Sequence, residues 1–321
     1  MTEITPWHWA GFILCILFFL ALDLGAFHRR PRAVKFSEAI AWSLAWFALA
    51  MLFAAAIFFW RNRTEAIQFT TGYIIELSLS LDNILVMAML FAYFRIPEEY
   101  QHRLLFWGIL GVLLMRGAMI AAGAVLISYY DWLLYALGAF LVLAGIQMLL
   151  SKRKMQPERN PVLRLAKSCF SISENLDGQK FLTRVNGALF LTPLALALLL
   201  IETTDLIFAV DSIPAVFSVT QNAFIIFTSN VFAILGLRSM YFVLAEALGS
   251  FRYLKIGISA VLVFIGVKML LDPHGREPKW FQVHLPTTVS LMVVAAILLI
   301  SVALSVTAAH REKARALTEM L

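Results

Sequence analysis

Long apolar runs separated by short polar stretches dominate the chain. A helix crosses the hydrocarbon core of a bilayer with ~20 mostly apolar residues. Nine segments reach that length: residues 7–27, 37–60, 66–94, 103–127, 131–151, 188–212, 223–246, 254–271 and 286–308. The backbone polar groups of such segments must be satisfied within the segment, which selects helices. The pattern therefore predicts an all-α polytopic membrane protein with about nine spans and a single transmembrane domain over residues 1–321. The first run is expected to be a span rather than a cleaved leader, because Glu3 and no Lys or Arg precedes it and the basic flank His28-Arg29-Arg30-Pro31-Arg32 follows it.

Composition sharpens this picture. Apolar residues make up 61% of the chain, against ~45–50% in soluble proteins. Charged residues make up 14%, about half the usual ~25%. These values exclude a soluble enzyme, a disordered chain and a nucleic-acid reader. The net charge of +6 belongs to the connecting segments. With the N-terminus outside, alternation places 19 of the 26 bases in cytoplasmic segments and four in outer loops (Arg61, Arg63, Arg276 and Lys279), and it leaves the C-terminus cytoplasmic. The longest connection, residues 152–187, is basic and polar. Pro157, Pro161 and Gly178 argue against one rigid helix there, and it reads as a cytoplasmic linker, with a docking site as the alternative. Cys15 and Cys169 make neither a disulfide scaffold nor a thiolate metal site.

The chain also resembles itself. Glu76-Leu-Ser-Leu-Ser-Leu-Asp82-Asn83 in the third span matches Asp205-Leu-Ile-Phe-Ala-Val-Asp211-Ser212 in the sixth. Arg116 in the fourth span recurs as Arg238 in the seventh, and Gly145-Ile-Gln-Met-Leu-Leu150 in the fifth recurs as Gly266-Val-Lys-Met-Leu-Leu271 in the eighth. The offsets are 129, 122 and 121 residues. A displacement by three helices reverses direction, so residues 66–151 and 188–271 are expected to be inverted repeats. Transporters built this way place their sites at the repeat interface near the midplane.

Each ionised group at bilayer depth costs at least ~2.5–3.5 kcal/mol on the insertion scale. Yet the spans hold six acids (Asp23, Glu76, Asp82, Glu202, Asp205 and Asp211) against three bases, Arg116, Arg238 and Lys268. Such an excess must hold protons or bind cations. Glu76 and Asp82 stand about 9 Å apart along their helix at ~1.5 Å per residue. Because the sixth span runs the other way, Glu76 is expected level with Asp211, and Asp82 level with Asp205 and Glu202. Two carboxylate layers result, with room for a cation to pass between them. Pro214 should kink or break the sixth span and free the carbonyl of Val210.

All six histidines fall in loops or near span ends, and no cysteine lies near the acids. Carboxylates with the amide of Asn83 and the hydroxyl of Ser212 suit Mg²⁺, Ca²⁺ or Mn²⁺ rather than zinc or copper. Met87 and Met89 read as packing. Arg116 and Arg238 are either fixed counter-ions that pin a carboxylate or tethered cations that compete with the substrate. Lys268 aligns with the neutral Gln147 and is expected to snorkel from the outer end of its helix. Asp23 either meets the ion on its way in or faces the headgroups. Glu38, Asp131 and Asp272 sit at helix ends, where they cap or meet water.

At these motifs the chain resembles the TerC family of membrane proteins, in its Alx-type branch. The likeness rests on Gly72-Tyr-Ile-Ile-Glu76-Leu-Ser-Leu-Ser-Leu-Asp82-Asn83 and on Glu202-Thr-Thr-Asp205-Leu-Ile-Phe-Ala-Val-Asp211-Ser212-Ile-Pro214-Ala. It extends to Phe227-Thr-Ser-Asn230-Val-Phe-Ala-Ile-Leu-Gly-Leu-Arg238-Ser-Met-Tyr241 and, more weakly, to Ala21-Leu-Asp23-Leu. The resemblance implies a multi-pass protein of the bacterial inner membrane that exports manganese from the cytoplasm. Glu76, Asp82, Glu202, Asp205 and Asp211 match the family's acidic positions. Leu77 departs from the pattern, since many members carry Lys after the Glu, and this leaves Glu76 freer to meet metal or proton. Mn²⁺ is then the substrate, the lipid bilayer the partner and H⁺ a candidate exchanging ion. No resident cofactor, nucleic acid or enzymatic activity is expected, because no Ser, Cys or His nucleophile set appears at depth. Two alternatives stay open: export of another cation or a basic solute, and a non-transporting scaffold linked to tellurite resistance or membrane-protein assembly. The oligomeric state is open as well.

Overall fold

A computed structural model describes residues 4–27, 36–150, 161–173, 175–185, 187–246, 253–272, 282–283 and 285–319; the side chains of 22–27, 162, 167, 185, 245–246 and 309–319 lie outside that description. The long helices are α1 (Pro6–Phe27), α2 (Phe36–Trp60), α3 (Arg63–Tyr93), α4 (Glu98–Tyr129) and α5 (Trp132–Leu150). After a short helix α6 (Pro161–Cys169) and strands β1 (Ser171–Ile172), β2 (Leu182–Val185) and β3 (Ala188–Leu191) come α7 (Pro193–Phe217), α8 (Ala223–Glu246), α9 (Leu254–Leu271) and α10 (Thr287–Glu319). Among the described residues, eight helices are long and apolar enough to cross a membrane, and α1 adds a shorter apolar stretch, Pro6–Ala21. The chain is a polytopic helical membrane protein.

Local chemistry sets the helix starts. Asn62 caps α3 by accepting a hydrogen bond from the Glu65 amide at 2.7 Å. The Glu65 carboxylate in turn takes two hydrogen bonds from Arg61 at 2.7 and 2.9 Å, which closes the α2–α3 connection. The sixth span begins later than its hydropathy suggested. Residues 188–191 form strand β3, and α7 starts only at Pro193, with the Thr192 side chain accepting from the Ala195 amide. A four-residue apolar run reads equally as strand or helix, and the Thr-Pro start signal decides between them. Nor does Pro214 break the span: α7 runs unbroken through it and ends three residues later. Placed in the last turn, the proline removes little helix. The Ser218 amide donates to the Pro214 carbonyl at 3.1 Å and closes the end.

The helices pack as crossed pairs, α3 on α8, α4 on α7 and α5 along α9, with α3 also on α7 and α4 on α8. α2 lies on α3 and α8, and α10 on α9 and α3. Large side chains such as Leu14, Leu52, Phe59, Leu114, Leu143 and Leu299 are exposed around the bundle, as a lipid-facing surface requires. The α5–α9 contact depends on missing side chains. A Cβ at Gly266 would lie 2.6 Å from the Gly138 carbonyl oxygen, and one at Gly145 2.9 Å from the Ser259 oxygen. Small residues allow this close approach of backbones. Gly266→Val is expected to push the helices apart and cost about 1–3 kcal/mol. A thermal melt in detergent reads this directly, and an unchanged midpoint would show that the close approach contributes nothing.

Two sequence expectations change here. Lys268 does not snorkel: it is buried, and its Nζ donates to the Ser218 carbonyl at 3.1 Å. The ammonium thus sits at the negative end of α7, a partner supplied by a helix remote in sequence. The basic connection after α5 is also more than a linker. Its described part holds α6 and a three-stranded sheet in the order β1-β3-β2, with β1 parallel and β2 antiparallel to β3. Leu163 and Ala166 of α6 are buried in one cluster with Ile84, Leu90, Leu104 and Leu194. Arg103 of α4 donates to Gln179 at 3.3 Å, and its guanidinium lies over Phe181 at 5.1 Å. Hydrogen bonds from Thr183 and Lys180 hold the Asp177 carboxyl below the usual carboxylate range. Residues 151–160 lie outside the description.

Candidate substrate site

Glu76 and Asn83 stand seven residues apart on α3, and Asp205 and Ser212 seven apart on α7. At 3.6 residues per turn, seven residues bring a side chain back to the same face. Both pairs point into the bundle and are buried: Glu76 is 0% exposed, Asn83 and Asp205 3%, and Ser212 1%. Asp82 and Asp211 follow the first acid of each motif by six residues, which turns them about a third of a turn away. Both are only half-buried.

Arg116, on α4, joins the two motifs. Its Nη1 is ion-paired with Glu76 and donates to Ser212 Oγ at 3.1 Å and to Asn230 Oδ1 at 2.8 Å. Its Nε lies 3.7 Å from Asp205 Oδ2. Asn230, on α8, donates to Glu76 Oε2 at 3.0 Å, and Asn83 donates to Asp205 Oδ1 at 2.5 Å. One guanidinium therefore touches the first acid of each motif. Buried charge survives in such a place because it is paired. Asp82 is expected level with Asp205, but the residue beside Asp205 is Asn83, and Glu76 reaches Ser212 through Arg116. Arg116 stands between Glu76 and Asp205.

Glu202 precedes Asp205 by one helical turn. A Cβ on Gly111 of α4 would run into its carboxylate. Glu202 Oε2 and Asn83 Oδ1 are buried oxygens without a hydrogen-bond partner among the described residues. Such acceptors are costly unless something else binds them. Among the described residues, no three of the acids, histidines and cysteines form a ready metal cage. Gly111→Ala should displace the Glu202 carboxylate while leaving the Arg116 contacts in place. Any flux of a divalent cation through the protein is expected to fall at least tenfold at an unchanged melting temperature, and a flux equal to that of the wild type would show that the position of Glu202 is immaterial.

Among the described residues, Arg238 and Lys268 lie apart from this network, and Arg238 meets a different partner from Arg116. It is buried on α8, with Nη2 2.6 Å from His102 Nε2 of α4, so the neutral imidazole nitrogen accepts from the guanidinium. The two line a cavity walled by Phe19, Trp42, Trp46 and Phe106. His102 lies near its span end, as the sequence suggested, but buried against this arginine. Lys268 serves the end of α7. The side chain of Asp23, on α1, lies outside the described residues. Met87 is packed in the core and Met89 faces outward. Asn230 is not among the site residues expected from the sequence, because a neutral amide at depth is less conspicuous than a charge. The run Thr228-Ser229-Asn230 inside an apolar span was the available signal.

The Integral membrane protein TerC family model matches residues 61–313, which contain the whole network. Similar over nearly its full length is a Myxococcus xanthus protein named "Uncharacterized membrane protein STKORF319", 48% identical and aligned over 92% of this chain and 90% of that one. The "Putative membrane-bound redox modulator Alx" of Escherichia coli K12 is 43% identical over 92% of this chain and 93% of its own. Its namesake in Salmonella typhi is 40% identical over 96% of both. No solved structure matches. Both the family match and the length of these alignments show that the chain belongs to the TerC family of integral membrane proteins.

Proposed function

We propose that this TerC-family protein is a transporter, not an enzyme, and that it exports Mn²⁺ through the oxygens gathered around Arg116. One observation carries the reading: two carboxylates, an amide and a hydroxyl from α3, α7 and α8 converge on a single cation. Hard oxygen donors suit Mn²⁺, Mg²⁺ or Ca²⁺, and the family resemblance favours manganese. Two carboxylates and one guanidinium leave one net negative charge. With the guanidinium withdrawn, the two negative charges balance a divalent ion. Arg116 is then a tethered cation that the substrate displaces. Asp82 and Asp211, half-buried off this network, are the ligands by which the ion approaches and leaves.

Residues 66–151 and 188–271 act as the inverted repeats that rock against each other. In support, α3 packs on α8 as α7 packs on α4, the exchange a two-fold relation between the repeats produces. The N-terminus is outside, the C-terminus is cytoplasmic, and the membrane is the bacterial inner membrane. The relatives' redox-modulator name fits this reading, since manganese is itself a redox-active metal.

Mn²⁺ uptake into inside-out vesicles, with and without a pH gradient, tests the proposal. Uptake should exceed that of empty membranes and fall to background in Asp82→Ala and Asp211→Ala at equal protein levels. Normal uptake by both variants would overturn their assignment. Wild-type vesicles no better than empty ones would overturn transport, and flux of lysine in place of Mn²⁺ would identify a basic-solute carrier. Dependence on the pH gradient identifies H⁺ as the exchanging ion.

A further inference from the structure

The sheet after α6 has one face that its own loop covers and one that it does not. Register places Thr183 opposite Phe190, and Asp177 of the preceding loop accepts from Thr183 on that side. The other face carries Ile172, Leu191 and Leu182 in one row, with Leu189 opposite Arg184 in the next. Ile172 and Leu191 pack against the cluster formed by the ends of α3, α4 and α7. Beyond them the same face continues past the bundle: Leu182 is 48% exposed, Leu189 54%, and Arg184 is exposed. Phe170, one residue ahead of β1, is 57% exposed.

Orientation follows from the packing. The face that rests on the membrane helices at its inner row looks toward the bilayer, so its overhang looks at the lipid around the bundle. Leu191 is followed directly by Thr192 and Pro193, the start of a spanning helix, which sets the sheet at headgroup depth. Exposed leucines beside an arginine are poorly suited to water. They match an interface whose acyl boundary takes apolar side chains and whose phosphates take cations.

From this we infer that the β2–β3 hairpin is an interfacial anchor, with Leu182 and Leu189 inserted at the acyl boundary and Arg184 on the phosphate of an anionic phospholipid of the protein's own bilayer. The anchor has a mechanical consequence. β3 continues into α7, which carries Glu202, Asp205 and Asp211, and the same cap holds α4 through Arg103, Gln179 and Phe181. Lipid bound at the hairpin therefore holds the ends of the two helices that carry Asp205 and Arg116.

Spin labels test this on the full chain in nanodiscs. In a Cys15→Ser, Cys169→Ser background, a nitroxide is attached at Leu189→Cys or, on the opposite face, at Ala188→Cys. Power saturation with oxygen and with a nickel chelate reads depth. We expect the label at 189 to be accessible to oxygen and shielded from nickel, and the label at 188 to be accessible to nickel. Phosphatidylglycerol added to phosphatidylcholine should deepen the 189 label, and Arg184→Glu should abolish that response without changing the elution volume of the protein. Nickel access at 189 equal to that at 188 would overturn the anchor. Shielding of 189 from both reagents would show a protein cover, such as a second copy, and overturn it as well. Indifference to phosphatidylglycerol would remove the anionic-lipid contact.

Discussion

Arg116→Gln is expected to lower the melting temperature of the metal-free protein and, at the same time, to enlarge its stabilisation by Mn²⁺. Removing one partner of a buried ion pair costs about 3–5 kcal/mol, because the other partner is left uncompensated. Here two partners are left, Glu76 and Asp205, although Asn230 and Asn83 still hold one oxygen of each. A divalent ion then meets two negative charges with no tethered competitor. At a hundredfold excess over its dissociation constant, a ligand stabilises by ~2.7 kcal/mol, and the variant should reach that level at lower Mn²⁺ than the wild type. Net export should nevertheless fall, because in the proposed cycle the empty protein returns with both acids unpaired at depth. Melts with and without Mn²⁺, set beside Mn²⁺–Mn²⁺ exchange and net flux in proteoliposomes, separate these effects. Exchange should persist where net flux is lost. If the variant responds to Mn²⁺ no more than the wild type, Arg116 is a structural counter-ion only.

The second large effect is expected at Asp205. Asp205→Ala takes away the acceptor of the Asn83 amide and the partner of Arg116 Nε, and Mn²⁺ uptake should drop at least a hundredfold to the level of empty membranes. That variant alone does not distinguish lost binding from lost folding, so Asp205→Asn is the informative companion. It keeps the shape and an acceptor oxygen for Asn83 while removing the charge. Its melting temperature should stay within a few degrees of wild type, while the Mn²⁺ concentration for half-maximal uptake rises at least tenfold, equivalent to ~1.4 kcal/mol. Wild-type concentration dependence in Asp205→Asn would exclude this carboxylate as a ligand.

Much of this site was legible in the chain. The acids are conspicuous because a charge within a ~20-residue apolar run has no cheap structural explanation, and the motif shared by residues 76–83 and 205–212 marks them as a pair of sites. The sequence expectation sets Glu76 level with Asp211, and Asp82 level with Asp205 and Glu202, by height alone. Rotation about the helix axis matters as much as height. It puts Asn83, not Asp82, on the face of Glu76, and Ser212, not Asp211, on the face of Asp205. That correction follows from the helical period and needed no tertiary information.

The partners of the cations are a different matter. Arg116 and Arg238 occupy matching places in the two motifs; among the described residues, Arg116 meets two carboxylates and Arg238 meets a histidine. Lys268 looked like a side chain bound for the headgroups and instead ends α7. Each outcome depends on a residue 50 or more positions away in the chain, as Ser218 is from Lys268, Asp205 from Arg116 and His102 from Arg238.

By itself, the sequence determined that the chain is helical and spans a membrane, where most of its spans lie, and which acids are stranded there, because the hydrocarbon core imposes length, apolarity and the cost of charge on each helix independently. Only the tertiary structure decided which oxygens share a cation, that an arginine stands between Glu76 and Asp205, and that the basic loop folds into a sheet against the bundle. Those outcomes depend on how helices rotate and cross, and apolar faces packed in lipid say little about that until their neighbours are in place.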